Sequence, residues 1–274
     1  MRIKVKNIFS LLSVVIFTLS FTTLLHAEAF KSPSLGGATG LIATPTSHTG
    51  WEGSGLGLDV AAHYVNGNDY SYDHGDYTIY KALLHLGLAG TNLEFGFAYD
   101  DQPDWGTDDD TDDMILNAKW EFTEGLAIGG NAQLMNINGV DEERNDYQLY
   151  FAATYPGDFF SMPAETTIVI GHTFWGDDSN EHDDENIDFS MGFDLDFAPS
   201  IFKHYVHWIS DFANYSYSTE PGGANSEWRG AFNTGLRFAL MRDKQFKFNL
   251  DLIVTDALDD NRDWAAGAAF GMSL

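Results

Sequence analysis

The sequence predicts an all-β chain: a transmembrane antiparallel β-barrel of about twelve strands, with short periplasmic turns and long acidic outer loops. Three observations predict it. The last eleven residues alternate strictly, with Trp264, Ala266, Ala268, Phe270, Met272 and Leu274 on one side and Ala265, Gly267, Ala269, Gly271 and Ser273 on the other. A two-residue period of this kind is the mark of a strand with two unlike faces. The connections between such segments are short and long in turn, as in barrels whose turns are short on one side of a membrane and long on the other. Finally, the chain opens on a segment built for export.

That opening segment comes first. Arg2, Lys4 and Lys6 precede an apolar run from Ile8 to Leu25, and Leu25-His26-Ala27 supplies a cleavage site. Residues 1–27 are therefore expected to be a signal peptide, cut after Ala27. No cysteine is present, which excludes a lipid-modified cysteine, disulfides and thiolate metal sites. Residues 28–50 precede the alternating segments and are expected either to form an extra strand or to tuck into the barrel's lumen or mouth.

Residues 51–274 are expected to form the barrel. The successive lipid-facing sets are Leu56 to Tyr64, Tyr80 to Leu88, Leu93 to Tyr99, Leu116 to Phe122, Leu126 to Leu134 and Tyr147 to Tyr155. Thr166 to Phe174, Ile187 to Phe197, Phe232 to Leu240 (with Trp228 before it), Phe246 to Val254 and the terminal segment follow. Residues 201–212 read as a strand whose faces are ambiguous. Short connections are expected near Gly90, Gly125, residues 156–163, Pro199 and residues 241–244. Long ones are expected at residues 66–76, 100–113, 138–146, 176–186, 213–227 and 256–263. Only every second residue of such a strand meets lipid, so the chain needs no long apolar helix to live in a membrane.

Composition narrows the partners. There are 14 Lys+Arg against 41 Asp+Glu, a formal charge of −27. A phosphate backbone needs basic surface, so nucleic acid is excluded. The expected partners are outer-membrane lipid and lipopolysaccharide, and the outer-membrane assembly machinery, which the terminal strand resembles a substrate for.

The same alternation turns a polar set inward. Asp59, His63, Lys81, His85, Glu94, Lys119, Glu121, Gln133, Asp188, Asp194, Asp196, Arg229, Arg237, Lys247 and Asp251 are expected in the lumen. They would either line a hydrated pore or pair with one another as a polar core. The acidic runs at residues 100–113 and 177–185 carry no base. Asp108, Asp109, Asp110, Asp112, Asp183 and Asp184 are hard oxygen donors of the kind that bind Ca²⁺ or Mg²⁺, although neither run has EF-hand spacing. No catalytic set is expected: His172, His204 and His207 stand without a nucleophile or acidic partner at a recognisable spacing.

The stretch from Gly36 to Ser47, GGATGLIATPTS, is unlike the strands. It resembles the opening of YjbH-like outer-membrane proteins, whose barrels begin with a Gly-Leu-Ile and then a Pro-Thr/Ser segment. His48 departs from the small residue which that resemblance implies. The resemblance implies a barrel associated with exopolysaccharide production and export, with polysaccharide as a partner, and assigns no site. The expected function is thus a non-enzymatic outer-membrane barrel with a transport or exopolysaccharide-export accessory role. A small cation-preferring porin, and a structural protein acting through its acidic loops, are the other readings.

Overall fold

A computed structural model describes residues 30–51, 55–66, 77–88, 91–102, 111–136, 143–175, 187–214, 230–258 and 263–274. Within them run β1 (Leu56–Asn66), β2 (Tyr77–Leu88), β3 (Thr91–Gln102), β4 (Thr111–Thr123), β5 (Leu126–Asn136) and β6 (Glu143–Phe159). There follow β7 (Met162–Trp175), β8 (Asp188–Asp196), the single-turn helix α1 (Pro199–Phe202), β9 (Val206–Ala213), β10 (Ala231–Arg242), β11 (Phe246–Thr255) and β12 (Asp263–Ser273). Each strand pairs antiparallel with its sequence neighbours, and β1 pairs with β12 to close the barrel. Closure leaves no open edge, which is the condition for a sheet to sit in hydrocarbon.

Alternating side chains give the barrel a wall that is inverted relative to a soluble protein. Val60, Phe95, Ile128, Leu149, Ile170, Met191, Leu250 and Phe270 are exposed on the outside. Their strand neighbours Asp59, Glu94, Ser190, Asn249 and Asp251 are buried inside. A polar interior and an apolar exterior is the arrangement lipid requires. The inner face of β12 is nearly bare because large groups press against it. A methyl at Gly267 would overlap the His63 ring, and one at Gly271 would overlap the carboxylate of Asp59.

The structure revises several boundaries. Residues 156–163 are not a loop: β6 runs to Phe159 and β7 starts at Met162. The turn is only Phe160-Ser161, both at positive φ (51° and 62°), the pattern whose twist suits a two-residue hairpin. Pro156 is tolerated there because the β5–β6 ladder has ended at Ala153, so its missing N–H faces no neighbour. The acidic run at 100–113 is partly strand, with Asp100 opposite Asp113 and Asp101 opposite Asp112. The connection after β8 is α1 and a turn, held by left-handed Ala198, Lys203 and His204, so β9 begins only at Val206.

Leu195 keeps the outward parity of Met191 and Phe193 but is wholly buried rather than exposed, at the end of β8 between Ala164 and Trp208. Phe193 lies at the short-turn edge, where its ring stacks on Phe159 and meets Trp208 edge-on. Trp228 lies outside the described residues.

Candidate functional site: a peptide loop inside the barrel

Residues 30–51 add no strand to the sheet; they fold as a loop within the lumen. Two isolated bridges, Pro33 with Thr39 and Gly40 with Pro45, pinch it into tight turns. Gly37 sits at φ 89°, against the backbone of Phe97, and a methyl at Gly40 would collide with the Thr44 carbonyl. Those glycines are needed because turn and wall leave no room for a Cβ.

The wall grips this loop mainly by its backbone. The carboxylate of Glu94 accepts the N–H of Thr39 (2.8 Å) and of Gly50 (2.8 Å), and the Thr39 hydroxyl (2.6 Å). One oxygen of Asp211 accepts three successive N–H groups, from Ile42 (3.0 Å), Ala43 (2.8 Å) and Thr44 (2.9 Å). Its other oxygen accepts from the Asn233 amide (2.8 Å). The Ser47 N–H reaches the Thr154 hydroxyl (2.9 Å).

Wall donors satisfy the loop's carbonyls. Lys81 donates to Ser34, Asn117 to Gly36, and Lys119 to Thr39. The Arg237 guanidinium reaches the carbonyls of Gly40 and Leu41, both at 3.2 Å. Lys247 donates to Lys31 (2.9 Å) and Gly50 (2.7 Å). Buried backbone groups must be bonded somewhere, and here the barrel wall stands where a sheet or helix partner would.

Three of the wall cations are also paired with wall carboxylates. Lys119 meets Glu94 (3.1 Å), Arg237 meets Asp251 (3.1 Å), and Lys247 meets Asp59 (2.9 Å). Pairing is what makes a buried charge tolerable. His63 adds a contact to Asp251 at 3.4 Å.

The tip of the loop is apolar. Leu35, Leu41, Ile42 and Ala43 pack with Val65, Ile79, Ala98, Ile115, Ile209, Ile253 and Ala265 in one buried cluster. These wall residues share the inward face of their strands with the polar set, so the lumen carries an apolar collar. At the short-turn end, Trp51 donates its indole N–H to Asp59 (3.1 Å) and lies under the Lys247 ammonium. His48 bridges Glu121 (3.3 Å) and Glu165 (3.1 Å). Burial disfavours a charged ring there, but the hydrogen bonds to Glu121 and Glu165 outweigh it and push the His48 pKa up to about 9.

Of the residues expected in the lumen, Asp59, His63, Lys81, His85, Glu94, Lys119, Glu121, Asp188, Asp194, Asp196, Arg237, Lys247 and Asp251 are buried inward, and Gln133 is half-buried. Asp59, Lys81, Glu94, Lys119, Glu121, Arg237 and Lys247 converge on the loop, whereas Asp194 pairs with His207 (2.7 Å) and Asp188 with Gln148 and Thr173. Asp196 pairs with His204. Arg229, Asp108, Asp109, Asp110, Asp183 and Asp184 lie outside the described residues, as does the side chain of Asp112. Among the described residues no cluster of three or more His, Asp or Glu has the geometry to hold a metal ion. His172 is on the outer face against Phe174, and both ring nitrogens of His207 are engaged.

Sequence reasoning missed Asp211, Asn117, Glu165, Asn233 and Asn249, and weighed His207 as a lone base without its partner Asp194. Asp211 lies in the segment whose faces looked ambiguous, because inward Ile209 belongs to the collar and spoils the polar-in pattern. The parity of Trp208 and Phe212, half-exposed or paired on the outside, was the available signal.

No protein-family model matches the sequence, and no curated protein matches it. Solved structures similar to it include the KdgM porin in complex with disordered oligogalacturonate, at 10% identity and TM-score 0.43, covering 80% of this chain and 99% of that one. An outer membrane channel from Pseudomonas putida F1 is similar at 12% identity and TM-score 0.43, covering 81% and 97%. The Ralstonia pickettii toluene transporter TbuX is similar at 8% identity and TM-score 0.42, covering 81% and 90%. The likeness extends to the barrel and no further.

Proposed function

We propose that the protein is a non-enzymatic outer-membrane barrel that serves transport, with its lumen closed at rest by residues 30–51. The observation that carries this reading is the loop's attachment to opposite walls: Glu94 and Lys119 on one side, Asp211 and Arg237 on the other. An open porin would leave its inner charges to water, whereas these are covered by peptide. On this reading the short turns and both barrel termini face the periplasm.

The resemblance of the segment from Gly36 to Ser47 to YjbH-like openings supports placing that transport next to exopolysaccharide export. The same segment supplies the closing loop, so the motif has a mechanical reason to exist in a barrel of this kind. His48, the departure from that motif, is the residue that bridges Glu121 and Glu165.

Single-channel recording tests the closed state. The intact protein in planar bilayers is expected to be silent, with rare openings. A variant lacking residues 30–50 behind its signal peptide is expected to conduct steadily. A large steady current from the intact protein would overturn the closed reading. Unchanged polysaccharide secretion in a deletion strain would overturn the accessory role alone.

A further inference from the structure

The strand ladder that surrounds residues 30–51 closes without them, and so do three of its ion pairs. Every strand has both neighbours in the ladder, from β1 round to β12. The wall cations Lys119, Arg237 and Lys247 already have wall carboxylates, Glu94, Asp251 and Asp59. What the loop contributes to those pairs is mostly backbone: carbonyls at Lys31, Thr39, Gly40, Leu41 and Gly50, and N–H groups at Thr39 and Gly50, with the Thr39 hydroxyl and the Trp51 indole as its side-chain donors. If the loop left, those wall pairs would stay neutral and water would take over the spare bonds. Among the described residues Asp211 and Lys81 hold no such wall pair, so at those two residues water must replace the loop's own bonds.

The grip also has the chemistry of peptide recognition. Asp211 is buried and no cation among the described residues is bonded to it; its Oδ2 is filled by three successive peptide N–H groups. The wall offers the loop's backbone both donors (Lys81, Asn117, Lys119, Arg237 and Lys247) and acceptors (Glu94, Thr154 and Asp211), and the apolar collar takes Leu35, Leu41, Ile42 and Ala43.

We infer that the lumen is a peptide-binding site and that residues 30–51 are its tethered ligand, able to leave and to be replaced in trans by a peptide of the same chemistry. The ligand class is a polypeptide turn with glycine where the wall comes close, as at Gly37 and Gly40, and apolar residues at the tip. The inference rests on reading these residues as the lumen's closure, but it is tested by binding rather than by current.

The experiment inserts a protease site between Trp51 and Gly55 of the otherwise intact protein. After folding in detergent the chain is cut, and release of the N-terminal fragment is followed by size exclusion in moderate urea. A synthetic, fluorescently labelled peptide of residues 30–51 is then added and its anisotropy measured. The expected result is a barrel that stays folded, loses the fragment, and binds one peptide per barrel. Binding is expected to weaken at least tenfold in Asp211→Asn and with a peptide carrying Gly40→Val. A fragment that departs only when the barrel unfolds would overturn the inference, as would an emptied barrel that ignores the peptide. In the uncut protein, amides of Ile42, Ala43 and Thr44 are expected to exchange with deuterium in urea that leaves the strands protected. Exchange of those amides only on global unfolding would count against a detachable ligand equally.

Discussion

The Asp211 carboxylate accepts the Ala43 N–H at 2.8 Å, with the N–H groups of Ile42 and Thr44 on the same oxygen. Three donors on one anion need a turn that aims successive amides at one point, which the bridge between Gly40 and Pro45 provides. Hydrogen bonds to a charged group contribute about 1.5–3 kcal/mol each, and a buried group left unbonded costs a similar amount. Asp211→Asn removes the charge, and its amide can rotate an N–H₂ toward donors. It is expected to weaken docking of the loop by about 2 kcal/mol or more while leaving the barrel folded. Amide exchange at residues 42–44 measures the first effect, and heat-modifiable gel mobility the second.

His48 gives the loop a pH dependence whose direction is fixed by its neighbours. Its pKa rises from 6.5 to about 9 because the Glu121 and Glu165 hydrogen bonds prevail over burial. A raised value means that the charged ring is favoured in the docked state. The added stability is fully present below pH 6.5 and is lost as pH rises through about 9. Protection of the Ser47 amide should therefore fall between those limits, and His48→Gln should flatten the profile. A profile that rises across this window would refute the assignment.

Leu250 is exposed on the outer face in the middle of β11, opposite Phe238 and Ala268. Leu250→Arg is expected to cost about 2–4 kcal/mol of folding into lipid, the range for a basic group near the bilayer midplane. Phe193→Arg should cost less, because Phe193 sits at the short-turn edge with Phe159 and Trp208. Urea titration of folding into lipid vesicles gives both values, and the reverse order would contradict the assigned depths.

Gly271 faces Asp59 and Lys247 across the closing seam. Gly271→Val has no space for its methyls and is expected to destabilise the barrel by about 1–3 kcal/mol through overpacking. Val favours strands in general, so unchanged or improved stability would show that the seam is looser than its geometry.

The strands were legible because lipid and lumen impose opposite demands on successive residues. Phe248 and Leu250 against Lys247, Asn249 and Asp251 leave no choice of face. The loop's location was legible only as one of two alternatives, since its bonds run from backbone groups to residues as far away as Asp211 and Lys247, and backbone groups leave no trace in sequence. Glycines at 36, 37 and 40 marked turns, but not what the turns would meet. The collar was hidden for a related reason: Val65, Ile79 and Ile253 face inward and look like lipid-facing residues out of phase. The Asp211 strand suffered most, carrying Ile209 and Asp211 on one face.

The position of residues 30–51 inside the barrel can be read with one cross-link. The Ser32 hydroxyl donates to the Asn249 side chain at 3.1 Å, across 217 residues of sequence. The chain has no cysteine, so a Ser32→Cys, Asn249→Cys double variant reports on that pair alone. Mild oxidation of the folded protein in membranes should join the two in high yield and shift its non-reducing gel mobility, with neither single variant shifting. Two cysteines that both react with a small thiol reagent yet never join would place the loop outside the lumen and contradict the account.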